Sequence, residues 1–169
     1  TFLTIQAAIR LVQNPKMKVL LWLSEDPSGL TKYRAEEILN KLNVGTHLNN
    51  IDIIDDMPDH LTKENFNEYS KLFSLYNLVI LDPLIAFYGG DENSNSQARY
   101  FMNLLNKMAK DNIQSFLIIH HSTKPNKDDI SKTRGAGAFI DAVRLAYEIK
   151  VIENSLEREV SIIKDNYGV

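Results

Sequence analysis

The 169 residues carry a net charge of -3 and no cysteine, which excludes disulfides and thiolate metal sites and leaves any nucleic-acid contact to a local patch. No apolar run approaches the ~20 residues of a spanning helix, and no basic-then-apolar leader opens the sequence, so a cytoplasmic protein with no membrane partner is expected. The length fits one domain with a real core.

The opening TFLTIQAAIRLV spaces Leu3, Ala7, Ala8, Leu11 and Val12 as one stripe of a helix. Three runs, KVLLWLS (18–24), NLVILDP (77–83) and SFLIIHH (115–121), are short and continuously apolar, the pattern of parallel strands buried on both faces. NIDIID (50–55) alternates and predicts an edge strand. Between them, helical patterns cover 30–42, 63–75 and 96–110. The last is the clearest, with Ala98, Phe101, Met102, Leu105, Met108 and Ala109 on one stripe. AFIDAVRL (138–145) predicts a short helix. AYEIKVIE and REVSIIKD alternate on either side of NSLE and predict a β-hairpin closing the sheet. Helix and strand alternate, as in an α/β domain with a mostly parallel sheet. The irregular stretches 83–95 and 122–137 are long enough to carry function.

In open α/β sheets ligands bind beyond the carboxyl ends of the strands. Here the three apolar runs lead into Glu25-Asp26, Asp82 and His120-His121. Four apolar residues and then Asp82 form the pattern of a Walker B strand, whose carboxylate holds the water shell of Mg²⁺; the plainer reading is a turn aspartate before Pro83. Glu25 can polarise a water for attack on a γ-phosphate, or either acid of EDPSG can cap the next helix, one acid for each task. His120 and His121, adjacent on a strand, point to opposite faces, which argues against zinc. One of them can hydrogen-bond a γ-phosphate; burial against backbone acceptors is the alternative.

The stretch STKPNKDDISKTRGAG carries Lys124, Lys127, Lys132 and Arg134 beside Asp128 and Asp129. As a charge run it reads most simply as a solvated loop. Its cations could instead contact nucleic-acid phosphates, or Arg134 could act across a subunit boundary as an arginine finger. The GAG at 135–137 lacks both a leading strand and the third glycine of a dinucleotide fingerprint, and GGDEN (89–93) reads as a surface turn.

The order SEDP, LVILDPL with GGDEN, IIHHSTK, TRGAGAFIDAVRLAYEI and IIKDNYG resembles the RepA-like hexameric replicative helicases of plasmids and phages, within the RecA-like ATPases. The resemblance spans nearly the whole sequence and implies a RecA-like three-layer core. It implies Glu25 as the water-activating glutamate and Asp82 as the Walker B aspartate at Mg²⁺. It implies His121, ahead of His120, as the γ-phosphate sensor, and Arg134 as the finger offered to a neighbouring subunit's ATP. Residues 124–133 would be the pore loop on single-stranded DNA, in a homo-oligomer expected to be a hexameric ring.

The family's phosphate loop, GxxxxGK[ST], does not occur in these residues. The expectation is a single RecA-like domain over 1–169 that lacks the first core strand and this loop, with Thr1 as the loop's last residue, on the nucleotide and Mg²⁺. Two other readings share parts of this pattern. One is a RecA-like ATPase of recombination or regulation without helicase activity. The other is a non-catalytic nucleic-acid-binding or oligomerisation module.

Overall fold

The computed structural model describes residues 2–42, 48–121, 134–155 and 157–168. The chain divides into two compact units, Thr1–Gly89 with Asn103–Thr123, and Gly90–Met102 with Lys124–Val169.

The first unit holds a parallel four-stranded sheet. Its strands are β1 (Val19–Leu23), β2 (Ile51–Ile54), β3 (Leu78–Asp82) and β4 (Ser115–Ile118), in the order β2-β1-β3-β4. The alternating segment is therefore an edge strand and the two most apolar runs are central, as their patterns predict. Asn77 ties the entrances of the central pair together. Its Oδ1 accepts the N–H of Lys18 at 2.8 Å, and its own N–H donates to the Lys18 carbonyl at 2.9 Å.

Successive residues of a strand face opposite sides, so each central strand feeds two cores. On one side Val19, Leu21, Leu23 and Ile80 pack with helix α1 (Phe2–Leu11) and with Ile38 of α2 (Ser28–Leu42). Ile5, Ala8, Ile9 and Val12 form the buried stripe of the first helical segment. The stripe thus runs one residue away from the predicted one: Ile9 belongs to it, and Leu3 is exposed. On the other side Trp22 meets Phe87 edge-on at 5.2 Å and Tyr69 at 5.8 Å, while Phe73 meets Phe116 at 5.6 Å. Tyr69 and Phe73 come from α3 (Phe66–Phe73), and the Trp22 indole donates to the Asp56 carbonyl at 2.8 Å. Aromatic pairs of this geometry add roughly 0.5–1.5 kcal/mol beyond their buried area. Helix α4 (Asn95–Asn112) buries most of the predicted stripe, with Ala98, Phe101, Met102, Leu105 and Met108 at most 2 % exposed and Ala109 only partly covered.

Two strand expectations are corrected. β4 is an edge of this sheet and only partly covered, so its apolar run is not buried on both faces. It also stops at Ile118, and His120 and His121 follow the strand rather than sit on it.

The second unit contains α5 (Arg134–Ala142), β5 (Leu145–Val151) and β6 (Arg158–Asp165). The strands pair antiparallel, with a register shift at Ala146/Tyr147. This is the predicted hairpin, but it forms its own two-stranded sheet rather than closing the larger one. Alternation fixes which residues share a face, not which sheet a strand joins. The helix begins four residues earlier than the apolar pattern indicates and ends before Leu145, which starts β5. Lys164 of β6 sends its ammonium to the carbonyls of Ile140 (3.1 Å) and Asp141 (2.6 Å), capping the C-terminal end of α5 where the helix dipole favours a cation.

Candidate functional site

The carboxyl ends of β1 and β3 lie side by side, with Leu23 in register with Asp82. Asp82 shares its strand face with Ile80, toward α1 and α2, and is buried (5 % exposed). Beyond it comes Pro83, joined by a cis peptide. The backbone then folds back under β4, where the Leu84 N–H donates to the Ile119 carbonyl at 2.7 Å and the Ile119 N–H to Leu81 at 2.9 Å. These bonds carry the chain after β4 to the tip of β3, which is how His121 arrives there.

His121 Nε2 lies 3.9 Å from Glu25 Oε2 and 4.0 Å from Asp82 Oδ1. Glu25 and His121 are each 65 % exposed, so the imidazole and one acid face solvent while the other acid sits beneath them. The three close one side of an open recess of about 310 Å³ whose wall also includes Phe2, Leu23, Asp26 and Arg34. Among the described residues, three carboxylates, one guanidinium and one imidazole therefore line the space. Three strand tips separated by dozens of residues meet here as their positions in the sequence predict. His121, not His120, is the histidine on the wall; His120 is half-buried.

The helix-capping expectation is corrected. Pro27 precedes α2 and accepts the N–H groups of Leu30 and Thr31, but it has no side-chain acceptor. The cap comes from Asp55, beyond β2, whose Oδ2 accepts the Ser28 N–H at 2.6 Å. That bond, with the Ser28 hydroxyl, holds the Asp55 carboxyl below its usual range. Asp26 turns instead to Arg34 of α2, with Nη1 to Oδ2 at 2.7 Å. Neither Asp55 nor Arg34 stands out in the sequence. An acid after an edge strand and a cation inside a polar helix are ordinary features, and only the sheet order brings them to this end.

Thr1, Lys124, Lys127 and Lys132 lie outside the described residues. Arg134 is the first residue of α5, in the second unit.

The residues present fit Mg²⁺ in one way. Among the described residues no group of three or more His, Asp or Glu side chains is arranged to hold a metal ion by itself, the rim included. A buried carboxylate at a strand tip, as at Asp82, suits an ion that keeps most of its waters and takes its other ligands from phosphates.

No helix among the described residues is long and apolar enough to cross a membrane. No curated protein matches the chain significantly. A family model described as an AAA domain matches residues 1–127, a span that includes Glu25, Asp82 and His121 and stops before Arg134 and the hairpin. Together with the parallel sheet and its acidic rim, that match places the chain in the AAA domain family, as an ATPase-like nucleotide-handling domain.

Proposed function

We propose that this domain is the ATP-hydrolysing motor of a replicative DNA helicase of the RepA type, acting on single-stranded DNA as a homo-oligomeric, hexameric ring. The observation that carries the reading is the meeting of Glu25, Asp82 and His121 at the ends of β1, β3 and β4. Asp82 would hold Mg²⁺ through its water shell, and that ion would supply charge neutralisation at the phosphates. Glu25 accepts a proton from the attacking water, whose oxygen bonds to the γ-phosphorus as the bond to the bridging oxygen breaks. Its exposure leaves a water room to approach. His121, within about one water's width of both acids, donates a hydrogen bond to the γ-phosphate and registers its departure. His120 lies next to it in the chain and would support the nucleotide from outside the recess wall. Thr1 would add a hydroxyl at the phosphates and the metal. Arg134 is assigned to the ATP of a neighbouring subunit, and Lys124, Lys127 and Lys132 to the DNA backbone.

The motor reading is separated from a RecA-like ATPase without helicase activity by a forked duplex. The full-length protein should unwind it only with ATP and Mg²⁺, and Asp82→Asn should abolish unwinding. ATP hydrolysis without strand separation would leave the ATPase standing and remove the helicase.

A further inference from the structure

The described wall of the recess holds a single permanent cation, and it does not face the space alone. The Arg34 guanidinium lies 5.3 Å from the centre of the Phe2 ring and 2.7 Å from Asp26. Phe2 opens α1, Arg34 sits in the second turn of α2, and Asp26 follows Glu25. The pair is four-fifths buried, with both side chains 22 % exposed, so it is shielded from solvent far more than a surface ion pair. The turn bearing Glu25 is also held by its backbone. The Ser24 N–H donates to the Asp82 carbonyl at 3.1 Å, and the Asp26 N–H to Leu23 at 3.2 Å. Glu25 thus lies between two anchored residues, while its own side chain stays 65 % exposed.

We propose that Arg34 is a positioning residue: clamped between Phe2 and Asp26, it fixes the turn that aims Glu25 and links that turn to the start of α1. Two physical effects follow. The clamp keeps the Asp26 carboxylate, itself part of the recess wall, paired with a cation, so that its negative charge beside Glu25 is balanced. It also couples the start of α1 to Glu25, so a shift of Phe2 is felt at that side chain. The proposal rests on the assignment of Glu25 as the water-activating acid.

The test is steady-state ATP hydrolysis by the full-length protein, with binding of a fluorescent, non-hydrolysable ATP analogue measured alongside. Misplacing a catalytic group by about 1 Å can cost about 100-fold. Arg34→Ala is therefore expected to lower kcat by roughly 10- to 100-fold, with KM and analogue affinity within about twofold of wild type. Arg34→Lys should recover part of the loss, because a point charge restores the ion pair but not the planar fork. Asp26→Asn added to Arg34→Ala should cost little more, since both changes break one clamp. An unchanged kcat in Arg34→Ala overturns the proposal, and so does a raised KM at constant kcat, which would make Arg34 a direct contact to the nucleotide. If the wild-type protein binds the analogue but hydrolyses no ATP, the assignment of Glu25 fails and the clamp falls with it. If wild type hydrolyses ATP and Arg34→Ala does so equally well, the clamp alone fails.

Discussion

Asp55 shows how much of this site depends on single side chains far apart in sequence. Its carboxylate caps α2 in place of the proline that precedes the helix, and so steadies the helix that carries Arg34. The hydrogen bonds from Ser28 hold its pKa down in the folded protein, while the unfolded chain has the ordinary value of ~3.9. A depressed folded pKa gives stability that is present above the unfolded value and lost as pH falls through the folded one. Asp55→Ala should therefore lower the thermal midpoint at pH 7, and the gap to wild type should close as the pH drops below about 4. A gap that stays constant with pH would show that the charge-assisted cap is not the cause. At this scale the sequence exposed the residues that end apolar runs, because a strand tip is a readable position. Glu25, Asp82 and His121 were found that way. Asp55 and Arg34 were not, because their role comes from the order β2-β1, in which the edge strand delivers its following acid to the start of α2.

The elements were legible in proportion to how far local pattern decides them. Continuous apolar runs gave the central strands, and a clean 3.6-residue stripe gave α4 within two residues at either end. The hairpin strands agree with their alternating segments, yet their sheet partner was misjudged, since pairing across a sheet is a long-range choice. The end of α4 carries a different lesson. Ile113 closes the helix at φ 54°, fully in the left-handed region, and is 91 % exposed. The Gln114 N–H returns to the Ala109 carbonyl at 3.1 Å, so the turn needs this backbone shape. Glycine is the usual residue at such a position, and for a β-branched side chain the conformation costs about 1–2 kcal/mol. Ile113→Gly should raise stability by about 1 kcal/mol once glycine's greater unfolded-state entropy is counted. Urea unfolding would show it as a higher midpoint at unchanged slope. A lower midpoint would mean that the isoleucine makes contacts in the folded protein worth more than the strain.

At the scale of the whole molecule, the residues assigned to ATP divide between the two units. Glu25, Asp82 and His121 belong to the first, which the AAA domain match covers, while Arg134 opens a helix of the second. If Arg134 serves a neighbouring subunit, Arg134→Ala should be inactive alone. Mixing it with Glu25→Gln should then restore partial ATPase activity, because each mixed interface can pair an intact acid with an intact arginine. Absence of rescue in verified mixed oligomers would confine the arginine to its own subunit or to another task. Above these stands the proposal that the rim at the ends of β1, β3 and β4 hydrolyses ATP, with the Glu25 carboxylate as the base that takes the proton from water. The most direct measurement is the ATPase rate of Glu25→Gln in the full-length protein, beside its nucleotide affinity. The account predicts a loss of at least about 100-fold in kcat with affinity within about threefold of wild type. Hydrolysis at the wild-type rate by Glu25→Gln would contradict it.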